Sequence, residues 1–242
     1  MRKLLQIVLK LLSKAVIKKY HPLVIGITGS VGKTSTKEAV FAALKNWFRI
    51  RASDASFNNE IGFPMAILGL KKPGRLIWIF NLLKAIGLLL TKDKSYPEVL
   101  VLEMGADKPR DIDYLVEIAW PKIGVVTAVG DLPVHVEFYS GPAEVAKEKS
   151  KLIQSLPING LAVLNYDDEA VFGMKDLTKA KVITYGFNEG ADVRASDVLY
   201  FVETNESIVG GISFKVNCNK SVVPFRLVNA LGKHQVYAAL AG

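Results

Sequence analysis

Eight consecutive residues, Thr28-Gly29-Ser30-Val31-Gly32-Lys33-Thr34-Ser35, bring together the residue types that grip a phosphate chain. Glycines let backbone N–H groups approach phosphate oxygens, a lysine neutralises charge on the β- and γ-phosphates, and a hydroxyl directly after the lysine suits Mg2+. Gly29, Gly32, Lys33 and Thr34 fill those roles, with Thr28, Ser30 and Ser35 completing the loop. The strict nucleotide-binding pattern asks for a glycine five residues before Gly32, where Ile27 stands instead. Glu103 follows an apolar run that reads as a central strand. Ligands bind at the carboxyl ends of strands in open α/β sheets, so its carboxylate can reach a Mg2+ near the γ-phosphate; the alternative is a surface carboxylate. Four further residues have ordinary structural readings beside chemical ones. His135 is a lone loop histidine, Lys149 a lysine on a helix face, and Asn58 and Asn59 are turn or helix-capping residues by default. Nothing resembles a Ser/His or Cys/His nucleophile, and the single cysteine, Cys218, forms no internal disulfide and no Cys/His metal cluster.

The elements that must position these residues are legible in the apolar periodicity. Leu23 to Thr28 reads as a buried strand, followed by the glycine loop and a helix from about Lys33 to Trp47. Glu98 to Leu102 and Ile123 to Thr127 read as central strands around a helix over Asp111 to Ala119. Leu161 to Leu164 and Val182 to Tyr185 continue the alternation after a helix from Ala143 to Leu156. Short strands alternating with helices predict an α/β fold with a doubly wound, mostly parallel sheet. From Ala191 to Leu227 the alternation changes, with Ile212 to Val216 and Val222 to Phe225 predicting a small antiparallel patch near the C-terminus. A last helix begins near His234.

The chain has 242 residues, half of them hydrophobic, and 31 Lys+Arg against 23 Asp+Glu give a net charge of +8. Length and composition predict a full core and exclude disorder. The positive balance suits phosphate-bearing ligands or an anionic membrane surface; without aromatic residues interleaved among the basic ones, it does not indicate nucleic acid. Met1 to Tyr20 reads as a basic amphipathic helix whose lysines interrupt the apolar run too often for a spanning segment, and no signal-peptide cleavage site follows. Two readings stay open for it: lying on a membrane surface, or docking on the chain's own core. Leu76 to Leu90 is apolar nearly all round, and the expectation is a core helix, with membrane contact as the alternative.

Several ordered segments resemble one family. Thr-Gly-Ser-x-Gly-Lys-Thr-Ser is similar to the phosphate loop of the Mur ligases, the ATP-dependent amide-forming enzymes of peptidoglycan precursor synthesis. Asn58-Asn59-Glu60-Ile61-Gly62-Phe63-Pro64 and Leu102-Glu103-Met104-Gly105-Ala106-Asp107 resemble segments of the branch that adds D-alanyl-D-alanine to a UDP-muramoyl tripeptide. Val134-His135-Val136-Glu137-Phe138, Val145-Ala146-Lys147-Glu148-Lys149 and Gly232-Lys233-His234-Gln235 resemble its histidine motif, lysine helix and Gly-x-His-Asn motif. The Asn58-Asn59 segment argues against a folylpolyglutamate synthase-like rival. Gln235, Ala238 and Ala128 stand where the family usually has asparagine.

The resemblance implies a set of roles. ATP is held by the phosphate loop and His234. Two Mg2+ ions are held by Thr34, Glu103, His135 and Lys149, with Lys149, rather than Lys147, carbamylated. Asn58, Asn59 and His135 contact the substrate, and Lys33, Lys149 and His135 serve catalysis. It also implies a cytoplasmic ligase joining a UDP-muramoyl-peptide carboxylate to an amino acid or dipeptide amine through an acyl phosphate. The expected organisation is a helix over 1–20 and a central ATPase domain over 21–242, ending before a C-terminal domain. The alternative is a nucleotide-binding module, membrane-associated through its apolar helices, without ligase activity of its own.

Overall fold

The structure is a computed structural model that describes residues 2–54, 57–70, 77–130, 138–202 and 210–242. The first six strands of the sheet are parallel: β1 (Leu23–Thr28), β2 (Ile50–Ala52), β3 (Val99–Glu103), β4 (Ile123–Val126), β5 (Leu161–Asn165) and β6 (Lys181–Gly186). Continuous β-branched and leucine runs suit strands covered on both faces, and every residue of β3 is buried. β7 (Val193–Phe201) pairs parallel to β6 through Tyr185↔Val193 and Gly186↔Arg194; β8 (Gly211–Cys218) and β9 (Ser221–Val228) then follow antiparallel. The order is β2-β3-β1-β4-β5-β6-β7-β8-β9, so the antiparallel strands extend the edge of the one sheet. The chain moves outward from β1 to β2, returns to β3, and crosses to β4 on the other side of β1. That reversal leaves a crevice at the carboxyl end of β1, where open α/β sheets bind ligands.

Alternate residues of each strand face opposite layers. On one side Ile25, Ile27, Val99, Val101 and Val125 pack with Val40 of α2 (Lys33–Leu44); toward the sheet edge Tyr185, Ile212 and Phe214 pack with Val236 and Leu240 of α8 (Lys233–Ala241). On the other side Val24, Leu100, Leu102, Val126 and Leu164 meet α3 (Gly62–Leu68), α5 (Asp111–Ala119) and α6 (Pro142–Gln154), together with the short helix α7 (Glu169–Phe172) and the 3-10 turn Gly173–Leu177.

α1 (Arg2–Tyr20) forms an outer layer on this second side, packed against α3, α5 and α4 (Ile77–Leu90). Leu9, Val16 and Ile17 point into the core, and the Ser13 hydroxyl donates to Pro64 O at 3.3 Å. Lys10 and Lys14, on what reads in sequence as the polar side, both reach Glu117 of α5. The expectation of a core helix over 76–90 is corrected. Between 81 and 90, α4 buries Asn81, Ala85 and Leu88 but exposes Leu82, Leu83, Ile86 and Leu90, because α4 lies in the outer layer beside α1. No helix among the described residues is long and apolar enough to cross a membrane.

Candidate functional site

The loop between β1 and α2 is shaped by two glycines in the left-handed region, Gly29 at φ 147° and Gly32 at φ 87°. A side chain on Gly29 would collide with Thr127, so close packing of the loop on β4 requires glycine there. Gly32 caps α2 with no side-chain acceptor, so the first amides of α2 point toward the loop mouth, the arrangement that attracts phosphate. The Thr127 hydroxyl holds the loop from beneath by donating to Val31 O at 2.6 Å, and Ser30 N donates to Ala128 O at 2.6 Å. Thr28 is buried, and its hydroxyl donates to Met104 O at the end of the neighbouring strand. Ser35 sits half-buried in the first turn of α2.

Two ammonium groups converge on one carbonyl. Lys33 Nζ donates to Gly29 O at 2.8 Å and Ser30 O at 3.2 Å; Lys149 Nζ, from α6, donates to Gly29 O at 2.9 Å. Lys149 is only 3 % exposed, whereas Lys147 faces solvent. Burial, and then the charge of Lys33, pull the Lys149 ammonium down to about 7, against the opposing pull of Asp107 and Glu148. Burial also lowers Lys33, with Glu103 and Asp107 holding it up.

Glu103 closes β3 opposite Ile27 of β1, which brings its carboxylate beside the start of α2. Its Oε2 accepts from the Thr34 hydroxyl at 3.1 Å, its backbone N–H donates to the buried Ser53 hydroxyl, and the buried Lys37 ammonium stands 3.9 Å from Oε2. A hydroxyl and one carboxylate at a phosphate-binding loop are hard oxygen donors that fit Mg2+, which takes one or two carboxylates and completes its shell with phosphate and water. No cluster of three or more His, Cys, Asp or Glu side chains suited to a metal occurs among the described residues. His135 lies outside the described residues.

A cavity of about 130 Å³ lies on one side of the loop, lined by Gly29, Lys33, Asn58, Asp107, Tyr139 and Lys149 among others. The Tyr139 hydroxyl is buried there and has no hydrogen-bond partner among the described residues. Asn58 lines this cavity, and its carbonyl accepts from Gly105 N. Asn59 is turned away to the start of α3, where its Oδ1 accepts from Ile61 N and Gly62 N, the capping pattern expected of asparagine. On the other side of the loop a larger cavity of about 840 Å³ is lined by Gly32, Thr36, Asn165, Asp167, Tyr185 and His234 among others. This size suits a nucleoside. Asp167 organises its floor, accepting from Phe187 N, Asn188 N and the Tyr237 hydroxyl at 2.8 Å. Asp168 caps α7 through Val171 N and also accepts from Val129 N, tying β4 to α7.

Tyr139, Asp107, Lys37 and Asp168 escape a reading of the sequence as functional candidates. Only Asp107 carried a signal, its place at the end of the Glu103 segment.

A phosphate-binding loop at a sheet crevice, flanked by a nucleoside-sized cavity and a small cationic one, defines a P-loop nucleotide-binding α/β domain. Residues 27–242 match the Mur ligase middle domain, and the chain belongs to the Mur ligase family. It is 38% identical over 160 residues to the UDP-N-acetylmuramoyl-tripeptide–D-alanyl-D-alanine ligase of Mycobacterium leprae, covering 66% of this chain and 26% of that one. The corresponding Bacillus subtilis ligase is 28% identical over 233 residues, covering 96% of this chain and 43% of that one. Among solved structures, the MurF ligase of Thermotoga maritima in complex with ADP is similar with a TM-score of 0.76 and 26% identity, over 98% of this chain and 47% of that one. The chain spans from about a quarter to under half the length of these relatives.

Proposed function

We propose that this chain is the ATP-handling part of a ligase that joins the terminal carboxylate of a UDP-muramoyl tripeptide to the amine of D-alanyl-D-alanine, in the cytoplasm. The observation that carries the reading is the meeting of Lys33 and Lys149 at Gly29 O, beside the Thr34–Glu103 pair and between the two cavities. The larger cavity takes the adenosine, with His234 at its wall, and the loop takes the phosphates. The smaller cavity takes the reacting carboxylate, with Asn58 on its wall. Asn59 supports this wall through its cap on α3.

The substrate carboxylate oxygen forms a bond to the γ-phosphorus as the bond to ADP breaks, giving an acyl phosphate. The amine then attacks the acyl carbon, phosphate departs with the C–O bonding pair, and the amine loses a proton. Lys33 neutralises charge on the transferred group. Thr34 and Glu103 would hold one Mg2+, which supplies further neutralisation of phosphate charge. A second is assigned to His135 and Lys149. Lys149 suits it as a carbamate: with an ammonium near pKa 7, much of the side chain is free amine at neutral pH, and the amine adds CO2 with release of a proton, turning a cation into a carboxylate-like donor.

The test uses the full-length protein with Mg-ATP, the UDP-muramoyl tripeptide and D-alanyl-D-alanine. One amide and one phosphate are expected per ATP consumed, and Lys33→Ala abolishes Mg-ATP binding. ATP binding with no amide product would favour a nucleotide-binding module, and undiminished ATP affinity in Lys33→Ala would overturn the phosphate-loop assignment.

A further inference from the structure

We infer that the outer face formed by α1 and α4 docks on an anionic lipid surface. The inference stands on this face alone and does not depend on the ligase chemistry. Along α1, Leu4, Ile7 and Leu11 recur at spacings of three and four and are 66%, 56% and 61% exposed, while Leu9, Val16 and Ile17 on the opposite side are buried. Along α4, Leu82, Leu83, Ile86 and Leu90 likewise face outward, opposite Ala85 and Leu88. The two helices pack together, and their C-terminal ends are tied: Lys19 Nζ donates to Leu88 O and Leu89 O, and the Tyr20 hydroxyl to Leu88 O. Seven large aliphatic side chains therefore share one outer layer, unlike the singly scattered apolar residues of an ordinary surface.

Charge identifies what covers them. Neither helix contains an acidic residue; of the basic side chains, Lys10 and Lys14 are paired with Glu117 of α5, and Lys19 and Lys84 donate to backbone carbonyls while keeping their charge. Lys3 and Lys18 are exposed on α1, and Lys92 and Lys94 are exposed just beyond α4. Trp120, 53% exposed, stands at the same rim with Lys14 5.4 Å from its ring centroid, a residue type suited to the headgroup level. An apolar strip bordered by lysines, on helices too short or too polar to span, matches insertion in the plane of an interface rich in anionic headgroups. The phosphate loop opens at the carboxyl ends of the strands, so a surface bound along this helical side leaves the nucleotide cavity open.

Co-sedimentation of the full-length protein with large unilamellar vesicles tests this. Binding is expected to vesicles of phosphatidylcholine with about a third phosphatidylglycerol, to weaken in high salt, and to fall sharply on phosphatidylcholine alone. The double variant Leu83→Ser/Ile86→Ser is expected to reduce partitioning by about tenfold or more while leaving the thermal midpoint and ATP affinity unchanged. Lys18→Gln should cost about fivefold on the anionic vesicles only. Failure to bind either vesicle overturns the inference. So does a dimer in solution that Leu83→Ser/Ile86→Ser dissociates, which would assign the face to a second copy. Protection of α4 by the rest of a monomeric chain, read by hydrogen exchange, would overturn it in favour of an internal contact.

Discussion

Lys149 has two consequences that can be measured separately. Its ammonium lies near 7 in the folded chain and at 10.5 when exposed, so the unfolded chain binds more protons between those values. Stability from this group therefore rises with pH across that window, and the cost of burying the charge is complete below pH 7. Lys149→Met is expected to raise stability most below pH 7, with the gain fading toward pH 10, as read by urea unfolding at several pH values. The free amine rises from about a tenth of the population at pH 6 to about nine-tenths at pH 8, and carbamate formation releases a proton, so uptake of 13C-labelled CO2 at fixed dissolved CO2 should climb about tenfold or more until the site saturates. A flat labelling profile, or labelling that survives Lys149→Met, would remove the carbamate. Lys37 is buried between Glu38 at 3.4 Å and Glu103 at 3.9 Å, which places its charge where it can offset the buried Glu103 carboxylate. Lys37→Met leaves Glu103 buried without that cation and should cost about 3 kcal/mol. If Glu103 holds Mg2+ as proposed, added Mg2+ should raise the variant's thermal midpoint more than the wild type's; equal shifts would show that Lys37 does not neutralise the Glu103 carboxylate. The sequence displays Lys33, Thr34 and Glu103 as candidates because their chemistry follows from a local motif or a strand end. Lys37 and Tyr139 are invisible there because burial against distant β3 and the cavity wall, not a pattern of neighbours, gives them meaning.

The elements around the larger cavity are held by carboxylates working over long stretches of chain. Asp167 joins the end of β5 to the turn after β6 and to Tyr237 of α8, and burial together with this hydrogen bond pushes the Tyr237 phenol up. Asp167→Ala frees two backbone N–H groups and a half-buried hydroxyl at once, an expected loss of about 3 kcal/mol. Because α8 carries His234 and Tyr237 at the cavity wall, ATP affinity should fall while pyrophosphate affinity, which depends on the loop, stays near wild type. Parallel losses of both ligands would place Asp167 with the phosphates instead. The strands β1, β3, β4, β5 and β6 are legible because their apolar runs are long and separated. The extent of α2 was overestimated, since Trp47 N already returns to Leu44 O in a turn. β2 was missed because it has three residues, and α3 because all seven of its residues are buried, leaving no amphipathic period to detect, with Pro64 reading as a breaker.

At the scale of the molecule, the sheet reversal at β1 sets where chemistry sits, while the outer helices decide what the opposite side can meet. Periodicity could identify α1 as a helix, but it could not tell which apolar stripe faces protein. Leucines and isoleucines occur on both sides, and the lysines that look like a solvated face are partly consumed by Glu117. Packing separates the stripes and makes them distinguishable by mutation. Ile17 is 6% exposed within the main core, so Ile17→Ala removes buried methyl groups and leaves a cavity, for an expected loss of about 2–4 kcal/mol. Leu11, on the outward stripe, is 61% exposed, and Leu11→Ala should stay within about 0.5 kcal/mol of wild type. Urea unfolding of the full-length protein measures both. A large loss for Leu11→Ala would mean that its stripe is covered within the protein. A negligible loss for Ile17→Ala would mean that α1 does not dock on α3 and α5 in solution, and the two-helix face would lose its foundation.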